Sequence, residues 1–377
     1  MAKIEAPIHP EFIRTLGKIK NVDPKRLPAA LELLKRTNHA LITNYDTHTA
    51  EATIPYTRLA TQELHFPQNL FQNYISSQKE TSSEQILALG EGKKLNIILL
   101  PGFALPPAGT PVDNERVSRI INLVGHAASK NQSVEIYATG LAVSRGGKVR
   151  QDWPNKLAAN SFHHHGRISE DFLYAHVIPK TQAEKDETAI VLLGESMGCY
   201  NARETAKILG ETGVETYLYL KNPPGPEGLQ IPFLKKAQVI MGYGLESGIR
   251  KLTTSYSRKG TPQGRQDEAF FGQLSAYLAI EKDIQPDDQE QRKLKWKSTL
   301  ADAKNILGEL PFSTDGIVLP TIVDTGIKDL TSFTWRRLDN WRSGIRKVVK
   351  GNITHVFDRH AHTPQHDIWE WANRLRG

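Results

Sequence analysis

Thr188-Ala189-Ile190-Val191-Leu192-Leu193-Gly194-Glu195-Ser196-Met197-Gly198 is the stretch whose reading decides the fold. Its apolar run, 189–193, includes β-branched residues and has the length of a buried strand. Gly-x-Ser-x-Gly follows at 194–198, and 199–206 reads as a helix. A buried strand that turns sharply into a helix forces the turn residue into strained backbone geometry, and side chains at Gly194 or Gly198 would crowd it. The turn lifts the serine hydroxyl above the sheet edge, at the positive end of the following helix. Strand, turn and helix together predict a nucleophile elbow with Ser196 as nucleophile. The competing reading is a glycine-rich loop that binds a phosphate, so the rest of the chain must supply partners for the serine.

Composition narrows the setting. The chain has 377 residues, enough for one large α/β domain with an insertion or for two domains. No apolar run approaches the ~18 residues that span a bilayer, and the first ten residues lack the apolar core of a signal peptide. A single cysteine, Cys199, excludes an internal disulfide framework and fits a reducing compartment, so the expected location is cytoplasmic. The net charge of +7 is modest and densest over 335–350, where basic residues interleave with Trp335 and Trp341. Such a segment could contact nucleic acid or an anionic membrane surface. A solvated helix face with inward tryptophans explains it better, since no zinc spacing, P-loop or RNA-binding signature accompanies it.

The remainder of the chain alternates strand and helix patterns. Residues 1–39 read as a helical N-terminal extension, with Asp23-Pro24 as a helix start and Leu27, Ala30, Leu31 and Leu34 on one face. Residues 40–43 and 52–56 read as short strands around a turn at 44–49. Strands are predicted at 95–100, 134–138, 188–193 and 214–220, with a helix over 114–129. Residues 150–187 are longer than one crossover helix needs. The sheet resumes at 316–329 and ends with a strand at 352–357 and a helix carrying Ile368, Trp369, Trp371, Ala372 and Leu375. Alternating strands and helices imply a mostly parallel sheet, with ligands at the carboxyl ends of its strands. Residues 226–312 break the rhythm with charge-rich helical stretches (266–281, 289–307) and read as a lid or cap insertion. The core is then 40–225 and 313–377.

Four motifs now stand in order: Pro101-Gly102-Phe103-Ala104 after a strand, the serine elbow, Pro-Thr-Ile-Val-x-x-Gly-x-x-Asp at 320–329, and His362-Thr363-Pro364 after the last strand. In this order and context the chain resembles the α/β-hydrolase superfamily over roughly residues 90–225 and 313–377. No subfamily is indicated. The resemblance implies a Ser–Asp–His triad of Ser196, Asp329 and His362, with an oxyanion hole built from the backbone N–H groups of Phe103 and Met197. Asp324 competes with Asp329 as the acid. His360 competes with His362 as the base, and Ala361 stands where the family often has glycine. His355, within the strand, reads as structural. The chain has Pro-Gly where many relatives have His-Gly, a change that a backbone donor tolerates.

By that resemblance the expected chemistry is hydrolysis of a carboxylic ester or related acyl bond through an acyl-enzyme. It needs a small-molecule acyl substrate and no metal or organic cofactor. A peptidase, thioesterase or acyltransferase on the same triad, or a catalytically silent binding protein of this fold, remain alternatives. The run His163-His164-His165 reads as a polar loop near the substrate mouth rather than a metal site, because consecutive histidines diverge and no carboxylate or cysteine set accompanies them. Cys199 reads as a small core residue, and Glu195 carries no assigned chemistry.

Overall fold

A computed structural model of the protein describes residues 44–48, 52–63, 81–102, 120, 123–124, 126–128, 130–143, 147–160, 162–209, 212–224, 237, 241, 289–326, 342–344 and 347–358. The expected N-terminal helix, the C-terminal helix and most of 226–288 lie outside them.

Among the described residues a mixed sheet of ten strands organises the molecule. Its path runs β1 (Asn44–His48), β2 (Ala52–Ala60), β4 (Val134–Thr139), β3 (Lys94–Leu100), β6 (Thr188–Glu195), β7 (Glu215–Lys221), β8 (Thr321–Gly326), β10 (Ile353–Asp358) and β9 (Lys347–Lys350). A two-residue β5 (Lys148–Val149) pairs with β2 off this path. From β4 through β10 every pairing is parallel. β2 runs antiparallel to β4, and β9 antiparallel to β10.

The central parallel strands β3 and β6 are buried on both faces, which is why they read as near-continuous apolar runs rather than alternating ones. Ile190, Val191 and Leu192 of β6 are fully buried, as are Leu218 and Leu220 of β7. Each such side chain contributes about 1.5–3 kcal/mol on burial. Ile190, Leu192, Leu218, Leu220 and Val323 face one core cluster together with Phe162, Phe172 and Tyr200. That cluster is capped by α3 (His163–His176) and α5 (Gly198–Ile208). Gly166 of α3 permits close packing here, since a Cβ on it would stand 2.8 Å from Glu204 Cβ.

Two further short helices, α2 (Trp153–Asn160) and α4 (Gln182–Asp186), complete the crossover from β4 to β6. α1 (Thr81–Ala88) precedes β3, and the described positions of 120–128 are helical as expected, with Ile120 and Val124 buried. The predicted helix over 289–307 is α6 (Gln289–Gly308). It is docked on the core: Gln291 exchanges two hydrogen bonds with the Val149 backbone (3.1 and 3.0 Å), Asn305 Nδ2 donates to Leu157 O (2.9 Å), and Arg203 pairs with Glu309 just beyond its end.

Two local expectations are corrected. Residues 44–48 are strand β1, not a turn, because their backbone completes the antiparallel ladder of β2. Residues 347–350 are edge strand β9 rather than a helix face, paired to β10 from Ile353↔Lys350 to Val356↔Lys347. Lysines stand at its two ends, residues that disfavour further pairing at a sheet edge. Among the described residues no helix is long and apolar enough to cross a membrane.

Candidate active site

β6 delivers its last residue, Glu195, to the carboxyl edge of the sheet, and the chain reverses there. Ser196 has φ +53°, the left-handed region that a non-glycine residue enters at a cost of roughly 1–3 kcal/mol. Its N–H donates to Lys221 O of β7 (3.0 Å), which holds the strained residue in place. The flanking glycines are required sterically. A Cβ on Gly194 would stand 2.4 Å from Gly198 O, and one on Gly198 would stand 2.4 Å from Leu100 O. Both obstacles are backbone, so neither can swing aside. Met197 then caps α5, and among the described residues its N–H meets no backbone acceptor, as expected of a helix's first turn.

The Pro101-Gly102 turn after β3 lies against this elbow. A Cβ on Gly102 would stand 3.2 Å from Glu195 O and 3.5 Å from Ser196 Cβ. Phe103, the next residue and the expected second oxyanion donor, lies outside the described residues. So do Asp329, His360 and His362. Their flanking strands are described. Glu195, Lys221, Asp324 and Val356 stand side by side across β6, β7, β8 and β10. β8 and β10 therefore end at the same edge as the serine, with Gly326 opposite Asp358.

Asp324 is buried within β8 and accepts a hydrogen bond from Tyr219 Oη (2.9 Å). By the two-residue alternation of a strand, it faces away from the core cluster that holds Val323. His355 is likewise buried in mid-strand.

No protein-family model matches this chain, and no curated protein matches it in sequence. Among solved structures it is similar to a meta-cleavage product hydrolase from Pseudomonas fluorescens, at 17% identity over 89% of this chain and 97% of that one, with TM-score 0.44. A thermophilic esterase from Thermogutta terrifontis gives 13% identity over 89% and 96%, with TM-score 0.41. An epoxide hydrolase from Vigna radiata gives 11% over 88% and 96%, with TM-score 0.40. These likenesses are distant. What decides the fold is the molecule's own strand path, with an antiparallel second strand and a left-handed serine between β6 and its helix. The chain has the α/β-hydrolase fold.

Within that α/β-hydrolase frame the histidine run is corrected: 163–165 begin helix α3 instead of forming a loop. The helix starts at Phe162 with no side-chain cap, so no capping residue announces it. His165 is buried, its Nε2 lies 2.9 Å from Asp302 Oδ1 of α6, and its ring meets Trp153 edge-on. It also lines a small hollow with Leu100, Pro101, Thr139 and Asn201, at the end of β3. Among the described residues no group of His, Cys, Asp and Glu could hold a metal ion.

Cys199 is fully buried, and its thiol lies 3.3 Å from both Gly194 O and Lys221 O. It is the small core residue expected, with an added role in tying the elbow to β7. Tyr200 stacks on Phe162 (4.6 Å between ring centres), and burial, with Glu309 nearby, holds its phenol well above the ordinary value and so neutral. One residue at this edge was not singled out from sequence: Asn222, at φ +50°. The signal that could have found it is Asn-Pro-Pro directly after a strand, a chain-turning sequence.

Proposed function

We propose that this protein is a serine hydrolase that cleaves a carboxylic ester or related acyl bond through an acyl-enzyme. The observation that carries the reading is Ser196 at φ +53°, approached by Gly102 so closely that a Cβ there would stand 3.5 Å from the serine Cβ. A fold maintains such strain where it presents a reactive group. In this reading Ser196 attacks the acyl carbon, His362 takes its proton and returns it to the leaving group, and Asp329 orients the imidazole and stabilises its cation. The N–H groups of Met197 and Phe103 receive the developing oxyanion.

Chain geometry supports these partners. Asp329 follows the end of β8 by three residues, and His362 follows the end of β10 by four. At ~3.3–3.6 Å per residue, those segments reach ~10–14 Å. Strands β8 and β10 lie two and three places from β6, or about 10 and 14 Å at ~4.8 Å per strand. The reach required and the reach available agree. Asp324 is the less suitable candidate for the triad acid, because its carboxylate already receives the Tyr219 hydroxyl within the sheet.

The test is turnover of a chromogenic short-chain ester by the parent and by Ser196→Ala. The variant should lose about a million-fold in kcat, as removal of a triad nucleophile does elsewhere. Hydrolysis by the variant at nearly the parent rate would refute the proposal.

A further inference from the structure

The nucleophile elbow and the strand that leads to the proposed acid meet at one dipeptide, Lys221-Asn222, at the end of β7. On the elbow side, Lys221 O receives the Ser196 N–H (3.0 Å) and the Cys199 thiol (3.3 Å). On the other side, Asn222 N–H donates to Asp324 O (2.8 Å), and Asn222 Oδ1 accepts the N–H of Gly326 (2.8 Å). Asn222 is completely buried and left-handed, φ +50°. Asparagine is one of the few side-chain-bearing residues that adopt this conformation readily. The left-handed turn stops β7, sends the chain into Pro223-Pro224, and leaves the carboxamide beside the end of β8. A plain strand end would provide no such acceptor. The Gly326 N–H would then need water or would stay unpaired, at a site with no exposure at Asn222 and 1% at Thr325.

We propose that Asn222 is a positioning residue that sets the departure of the chain after β8 relative to Ser196. It acts by joining the Gly326 N–H to the β7 dipeptide that also anchors the nucleophile. This rests on the serine-hydrolase reading, in which the segment after Gly326 carries Asp329. Asn222 touches no reacting atom. Its effect passes through three residues of backbone to the carboxylate that orients the imidazole. Misplacing that carboxylate weakens its hold on the imidazolium, so the imidazole loses basicity and turnover falls with little change in substrate binding.

The experiment uses the full chain with Asn222→Gly, which keeps the left-handed backbone and removes the acceptor. Active sites are counted by exhaustive labelling with a fluorophosphonate, so that kcat is expressed per competent site. The expected result is a kcat per site lower by about 10- to 100-fold, a KM within a few-fold of the parent, and an acidic limb of the pH–rate profile displaced to lower pH. An unchanged kcat per site and an unchanged profile would overturn the proposal, even if the competent fraction or the melting temperature fell.

Amide hydrogen exchange on the parent protein provides a second arm that does not depend on the variant folding. The Gly326 N–H should exchange as slowly as the amides within β8. Exchange at the rate of a surface amide would show that the carboxamide does not hold it, and the proposal would fall. Failure of the parent to label at all would refute the serine-hydrolase reading, and the positioning role with it. Labelled parent with an indifferent Asn222→Gly would refute the positioning role alone.

Discussion

At the scale of single residues, the account turns on where a β-carbon can and cannot stand. Gly198 and Gly308 make the contrast. A Cβ on Gly198 would fall 2.4 Å from Leu100 O and 2.9 Å from Pro101 O, both backbone, whereas one on Gly308 would meet nothing within 4 Å. Gly198→Ala should therefore push the Leu100-Pro101 backbone away from the serine turn, lowering the denaturation midpoint by the equivalent of about 1–3 kcal/mol and reducing the proposed ester turnover. Gly308→Ala, at the end of α6, should be neutral or stabilising by up to about 1 kcal/mol. Equal midpoints for the two variants in urea would contradict the steric argument. Gly194, Ser196 and Gly198 were legible in the sequence because their constraints are local: the strand, the turn and the helix are contiguous. Asn222 was not singled out, because its partner Gly326 is 104 positions away.

Elements recognised from pattern were those whose burial is nearly continuous, such as β3 and β6. Those missed were short, exposed or uncapped. β1 is polar in sequence and forms only against β2, and β9 exposes Val349 at 62%. α3 begins without a capping side chain, so three histidines in a row read as loop. What fixes those histidines is tertiary: His165 meets Asp302 on α6, 137 positions away. Asp302→Ala should leave the buried imidazole without its acceptor and loosen α6 from α2 and α3. The expected loss is about 1–3 kcal/mol, read as a lower urea midpoint with new proteolytic cleavage within 289–308. An unchanged midpoint and an intact α6 would contradict the docking role.

The molecule as a whole is one sheet whose parallel strands bring distant sequence to a common edge, and its opposite edge shows how charge supports it. Burial pushes the Glu135 carboxyl up, but Lys94 (2.7 Å) and Arg58 outweigh this and hold it below the usual carboxylate range. A depressed pKa contributes stability above the unfolded value, about 4.3, and that contribution is lost as pH falls through the folded value. Glu135→Gln should thus be less stable than the parent at pH 7, with the gap closing below about pH 4. A gap independent of pH in thermal melts would contradict the pairing. The order along the chain of the strands that carry the motifs was legible, and so was the edge at which β6, β8 and β10 end. The spacing between strands was not, because it is set by sheet order. The central claim is that Ser196 is an activated nucleophile, and the most direct measurement is mass spectrometry of the intact chain after exposure to a fluorophosphonate. The account predicts one phosphonyl adduct, located on Ser196 and absent from Ser196→Ala. A parent that stays unmodified, or an adduct that persists in the variant, would contradict it.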